Sequence, residues 1–196
     1  MLGMLAKARL KAQDLDNTSN GVSNDTLSYQ QYYLRKMNVP TARQQVDLSQ
    51  SHKVVVAVLD EGVDFSQPDL QGQSRSSGGQ NGRNFINNSS DLTPYGPHGT
   101  LVAGVIGAKQ NNGIGIAGIA KSVSVMSVIV CNSSGLCPLS STISQGMRYA
   151  VEHGANIINL SLSSSTLYDP DLNNAINDAY QKGVIVVVAA GNGNTS

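Results

Sequence analysis

Val54-Val55-Val56-Ala57-Val58-Leu59-Asp60 is the stretch that decides the fold. The apolar run is continuous, not alternating, and most of it is β-branched. That texture predicts a strand buried on both faces, as in a parallel sheet. The same texture returns at residues 123–130, at Ile157-Ile158-Asn159-Leu160 and at residues 184–190, and predicts three more buried strands. Helical patterns lie between them. Ile143, Met147, Ala150 and Val151 fall at helical spacing over residues 141–151, and Gly154 supplies a stop. Asp169-Pro170 offers an N-cap with proline at the first helical position. Leu172, Ala175, Ile176, Ala179 and Tyr180 then share one face up to Gly183.

Further upstream, a helix is predicted over residues 28–37, ended by Val39-Pro40, because a residue before proline disfavours the helical region. His98 opens a segment of small and apolar residues containing Gly99, Gly104 and Gly107. Each glycine costs a helix roughly 1 kcal/mol relative to alanine. The segment makes sense as a buried helix whose neighbours approach its backbone. Residues 71–95, rich in Gly, Ser and Asn, read as surface loop. Strands alternating with helices predict an α/β domain, a mostly parallel sheet with helices on both faces. Residues 1–26 read as a polar tail and residues 27–196 as the packed domain.

Composition narrows the function classes. The 196 residues carry 13 Lys+Arg and 13 Asp+Glu, so neither nucleic acid nor an anionic membrane is an expected partner. No apolar run approaches the ~20 residues that span a bilayer. Residues 1–10 are interrupted by Gly3, Lys7 and Arg9 and show no signal-peptide h-region. Cys131 and Cys137 bracket a short loop with Gly135 near its tip, which brings them within disulfide range; two free thiols are the other reading. A disulfide would favour an oxidising compartment.

In an open parallel sheet, function collects beyond the carboxyl ends of the strands. The first strand delivers Asp60, the third Ser161-Leu162-Ser163 and the fourth Gly191-Asn192-Gly193, while His98 can face the same rim. Singly, each is ordinary turn or cap chemistry. Together, an acid, an imidazole and an amide donor are parts of an acyl-transfer site.

Val58-Leu59-Asp60-Glu61-Gly62-Val63-Asp64, continued by Gln67-Pro68-Asp69-Leu70, resembles the aspartate motif of the subtilisin-like serine proteases. Pro97-His98-Gly99-Thr100-Leu101-Val102-Ala103-Gly104 is similar to their histidine motif. Asn159-Leu160-Ser161-Leu162 resembles one wall of the family's specificity pocket, and Val187-Val188-Ala189-Ala190-Gly191-Asn192 the opposite wall with the oxyanion Asn. The resemblance implies serine endopeptidase activity on polypeptides, in a monomer, with Asp60 orienting His98, His98 as general base and Asn192 stabilising the oxyanion. Ser161, Leu162 and Ser163 would pair with substrate backbone. Ala190 and Gly191 would face them, and Gly135 would line a more distant subsite.

Three departures stand out: Leu101 where many relatives have His, Gln67 before Pro68 where His is common, and Ser163 where Gly is usual. The Gly-Thr-Ser-Met-Ala segment that bears the family's nucleophile is not among the 196 residues. The chain alone is therefore expected to be inactive; the alternative is a pseudoenzyme that binds peptides or a partner. The resemblance also implies a structural Ca²⁺ site from Asp25, Asp69, Asn112 and the carbonyls of Ile114 and Ile116, against a solvated polar loop as the other reading. Gly113-Ile114-Gly115-Ile116-Ala117-Gly118 matches a dinucleotide fingerprint by letter, but it follows a polar loop and leads into a strand, so nucleotide binding is rejected. Family habit and the expected disulfide point outside the cell, where the sequons at Asn88 and Asn132 would matter.

Overall fold

The computed structural model describes residues 23–45, 53–75, 81–135, 137, 140–162 and 169–192. Ser163, Gly193 and the first 22 residues lie outside that set. Five parallel strands form one sheet in the order β2-β3-β1-β4-β5. They are β1 (Val54–Asp60), β2 (Gly82–Asn84), β3 (Val123–Ile129), β4 (Ile157–Leu160) and β5 (Ile185–Val188). The helices are α1 (Tyr32–Lys36), α2 (Val39–Gln45), α3 (His98–Gly107), α4 (Ser140–Glu152) and α5 (Pro170–Gln181).

β1 is central, paired with β3 on one side and β4 on the other. Its continuous apolar run follows from burial on both faces. Ala57 and Leu59 join Met126, Val128, Met147, Ala150, Ala175 and Ala179 in a core between the sheet and helices α4 and α5. Val58 points the other way, into a core with Val63, Leu70, Ala103 and Val125 beneath α3. Helices on both faces of a parallel sheet are thus the observed architecture. Asp169 caps α5 by accepting the Leu172 N–H at 2.9 Å, and Gly183, at φ +74°, ends the following turn.

Glycine does what the small-residue helix requires at two of three positions. A Cβ on Gly99 would lie 2.4 Å from the Gly62 carbonyl oxygen, and one on Gly107 2.3 Å from Val123 Cγ1. On Gly104 the nearest atom would be 3.5 Å away, an ordinary contact.

Three expectations are corrected. Pro40 does not end a helix: it sits in the first turn of α2, where a missing N–H costs nothing, and the break is Asn38 at φ +56°. Residues 71–95 are not all loop, since Gly82–Asn84 adds β2 to the edge of β3. The fourth predicted strand, β5, is not buried. Ile185, Val187 and Val188 are exposed, because β5 lies at the sheet edge with only β4 beside it among the described residues.

Candidate active site

Asp60 ends β1 and is fully buried. His98, the first residue of α3, aims Nδ1 at this carboxylate, 2.9 Å from both Oδ1 and Oδ2. The imidazole is half exposed, while the Asp60 side chain is 1% exposed. A dry carboxylate therefore holds one ring nitrogen and leaves the opposite side of the ring towards solvent. The Glu61 N–H donates to Asp60 Oδ1 at 2.8 Å, which fixes the carboxylate from the backbone.

Close packing sets this meeting point. Gly99 lets the first turn of α3 rest against the Asp60-Gly62 backbone, with its virtual Cβ 3.0 Å from Asp60 Cβ. The turn after Asp60 is pinned twice. Ser127, fully buried on β3, accepts the Val63 N–H at 3.1 Å, and Thr100 Oγ1 on α3 accepts the Asp64 N–H at 2.9 Å. The Ser66 hydroxyl, then the Ser66 N–H and the Gln67 amide, hold the exposed Asp64 carboxyl below the ordinary carboxylate range. Sequence reasoning missed Ser127; the available signal was a hydroxyl inside the run Val-Ser-Val-Met-Ser-Val-Ile.

Of the residues predicted for the substrate cleft, those described lie at the same carboxyl rim. Ser161 and Leu162 follow β4 half-buried, with the Asn159 amide donating to Ser161 Oγ at 2.9 Å. Beyond β5, the Ala189 N–H donates to the Leu160 carbonyl at 3.0 Å, and Ala190, Gly191 and Asn192 are exposed. Gly191 has φ +87°, a conformation that favours glycine. β5 stands two strands from β1, so the Asn192 segment lies on the order of 10 Å across the rim from Asp60. On the other side, Gly135 (φ +68°) sits in the loop after β3, which the Cys131–Cys137 disulfide closes.

Asp25 and Asp69 converge on one loop, away from the rim. The Asp25 carboxylate is buried and accepts N–H groups from Asn111, Asn112 and Gly113 at 3.0, 2.9 and 3.1 Å. Asp69 accepts the Asn112 amide at 2.9 Å and the Ile116 N–H at 2.8 Å. The Ile114 N–H turns back onto Asn112 Oδ1 at 3.0 Å. Neither carboxylate belongs to an ion pair among the described residues. No cluster of three Asp, Glu, His or Cys stands among those residues, so backbone carbonyls would supply the remaining donors. Two carboxylates that accept N–H groups but have no cationic partner among the described residues, beside an amide and a carbonyl-bearing loop, are hard oxygen donors that fit Ca²⁺ in kind.

A carboxylate–imidazole pair at the strand ends of a parallel α/β domain has the arrangement of an acid that orients a general base. The model of the subtilase family matches residues 51–196, and the chain belongs to that family. It is 40% identical over 141 residues to a thermophilic serine proteinase of Bacillus sp. strain AK1, covering 72% of this chain and 33% of the relative. It is 36% identical over 170 residues to thermitase of Thermoactinomyces vulgaris, covering 86% and 57%. To the major intracellular serine protease of Bacillus subtilis strain 168 it is 41% identical over 143 residues, covering 71% and 43%. A solved cold-adapted subtilisin-like serine proteinase superposes with a TM-score of 0.61 at 30% identity, covering 72% of this chain and 47% of that one. The chain thus spans from a third to just over half the length of these curated relatives. Among the described residues no helix is long and apolar enough to cross a membrane.

Proposed function

We propose that the chain contributes the acid, the base and much of the substrate cleft of a serine endopeptidase acting on polypeptides as a monomer. The observation that carries this reading is the buried Asp60 carboxylate 2.9 Å from His98 Nδ1. Bound in that way, Nδ1 keeps its proton and Nε2 is left as a lone-pair acceptor facing solvent. His98 then takes the proton of an attacking hydroxyl and returns it to the leaving amine, while Asp60 stabilises the imidazolium that forms between the two steps. Asn192 donates its amide to the tetrahedral oxyanion, an interaction worth ~10²–10³ in kcat where such a donor has been removed from a subtilisin. Ser161, Leu162 and Ser163 and, opposite, Ala190 and Gly191 flank an extended substrate, with Gly135 further out.

The nucleophile is a serine outside these 196 residues. The test is to read the transcript through and past Ser196 and to assay its product. A product bearing Gly-Thr-Ser-x-Ala will take up a fluorophosphonate probe at that serine and hydrolyse casein, and His98→Ala will abolish both. The 196 residues alone will take up none. Probe labelling that survives His98→Ala, or labelling of the 196-residue chain, contradicts the assignment. We place the protein outside the cell on the strength of the disulfide, although one relative is named intracellular.

Asp25, Asp69 and Asn112, with the carbonyls of Ile114 and Ile116, would hold a structural Ca²⁺. A ligand that binds only the folded state at a hundredfold excess over Kd stabilises it by about 2.7 kcal/mol. For a domain of this size that is a Tm shift of about 5–10 °C. EDTA is expected to lower Tm by that amount in the wild type and to do nothing in Asp25→Ala. A wild-type transition that ignores chelator and added calcium removes the metal.

A further inference from the structure

Ser127 interrupts the apolar face that β3 turns towards α3. Val125, two residues before it on that face, belongs to the core beneath α3. Ile129, two residues after it, would lie 3.0 Å from a Cβ on Gly62. Ser127 itself is fully buried, where a hydroxyl is costly unless it is hydrogen-bonded. Its oxygen accepts the Val63 N–H at 3.1 Å, and Val63 is only 2% exposed. No other acceptor for that N–H stands among the described residues. The hydroxyl thus answers a backbone donor that would otherwise be buried unpaired.

That N–H belongs to the peptide unit joining Gly62 to Val63, whose other end is the Gly62 carbonyl. A peptide unit is planar, so holding its N–H fixes the direction of its C=O. The same carbonyl oxygen is the seat of α3, since a Cβ on Gly99 would lie 2.4 Å from it. His98, 2.9 Å from Asp60, is the residue immediately before Gly99. Gly62 has φ +109°, and without a side chain its own backbone does little to keep this peptide from turning. Thr100 Oγ1 holds the next N–H, that of Asp64, and not this one.

We infer that Ser127 is a positioning residue of the dyad: it sets the Gly62–Val63 peptide, which seats the first turn of α3 and keeps His98 on Asp60. Buried in the sheet, it acts only through that peptide. The effect on catalysis rests on the peptidase reading; the effect on the His98 geometry does not.

The test reads His98 directly, as the rate at which its Nδ1–H exchanges with water in ¹⁵N spectra of the 196-residue chain. Ser127→Ala removes the acceptor, and exchange is expected to quicken about tenfold, the change one net hydrogen bond makes in an equilibrium constant. Ser127→Thr keeps the oxygen, whereas Ser127→Val puts a methyl in its place with the same shape. Exchange should stay near wild type in the first and quicken in the second, and any crowding they share cancels. Met126→Ala hollows the core on the other face of β3 and separates positioning from plain loss of stability. It should leave exchange within about twofold of wild type. In a product of the gene that carries the nucleophilic serine, Ser127→Ala should lower kcat about tenfold and leave KM within about twofold. Unchanged exchange in Ser127→Ala overturns the inference, and so does equal quickening in Met126→Ala. An active product whose kcat ignores Ser127→Ala overturns it as well. If exchange quickens as expected but the serine-bearing product cleaves no peptide, the peptidase reading falls and the positioning role of Ser127 stands.

Discussion

Replacing Asp60 by Asn is expected to lower kcat by about four orders of magnitude in any product of this gene that includes the nucleophilic serine. The substitution keeps the shape of the side chain and reverses its chemistry at one atom. Asp60 offers two acceptor oxygens, each 2.9 Å from His98 Nδ1. An asparagine placed there can present a donor, against which Nδ1 must become the acceptor and Nε2 the protonated nitrogen. A protonated Nε2 cannot take a proton from a hydroxyl. The tautomer is visible without turnover: ¹⁵N spectra of His98 in the 196-residue chain should show the proton on Nδ1 in wild type and on Nε2 in Asp60→Asn. Loss of less than about tenfold in kcat, or an unchanged tautomer, would show that the dyad does not work this way.

The second large effect concerns Gly99, and Gly104 provides its control. Alanine favours a helix over glycine by about 1 kcal/mol at either position. At Gly99 that gain is opposed by a backbone clash, since the new methyl would lie 2.4 Å from the Gly62 carbonyl oxygen and 3.0 Å from Asp60 Cβ. Neither neighbour can rotate aside, so α3 must lift off the end of β1. Overpacking of this kind costs about 1–3 kcal/mol or more, and it draws His98 away from Asp60. Gly104→Ala meets nothing nearer than 3.5 Å and should stabilise. Urea unfolding with a common slope measures both. Equal and opposite signs are not required, but a Gly99→Ala chain as stable as wild type would mean that α3 does not rest on this turn.

How much was legible in the sequence depended on whether side chains or backbone held an element. β1 announced itself, because burial on both faces demands an unbroken apolar run. The Asp60–His98 meeting was legible only from the two settings taken together and in order, an acid at a strand end and an imidazole ahead of a glycine-spaced helix, since either alone reads as turn or cap chemistry. β2 was not legible. Gly82, Arg83 and Asn84 show no periodicity; they join β3 through backbone bonds, and a Cβ on Gly82 would sit 1.5 Å from the Ser127 carbonyl oxygen. The exposure of β5 was hidden for the opposite reason, since apolar content reads as burial whichever strand covers it. Asn38 escaped notice because a left-handed residue leaves no pattern beyond its own identity, and Pro40 nearby drew the boundary instead. The buried oxygen of Glu61 escaped because an acid after a strand reads as solvated turn, and only the packing of Gly96 against Oε2 shows that this one atom is covered.

The strand order has a consequence in time. Val54 must find Val123, and neither neighbour of β1 in the sheet is its neighbour along the chain. Closing such distant loops before any reward is collected makes a chain a slow folder, and α3, with its three glycines, offers little local structure to shorten the search. During that delay the apolar run of β1 is an open template for other copies, so refolding yield should fall steeply as concentration rises.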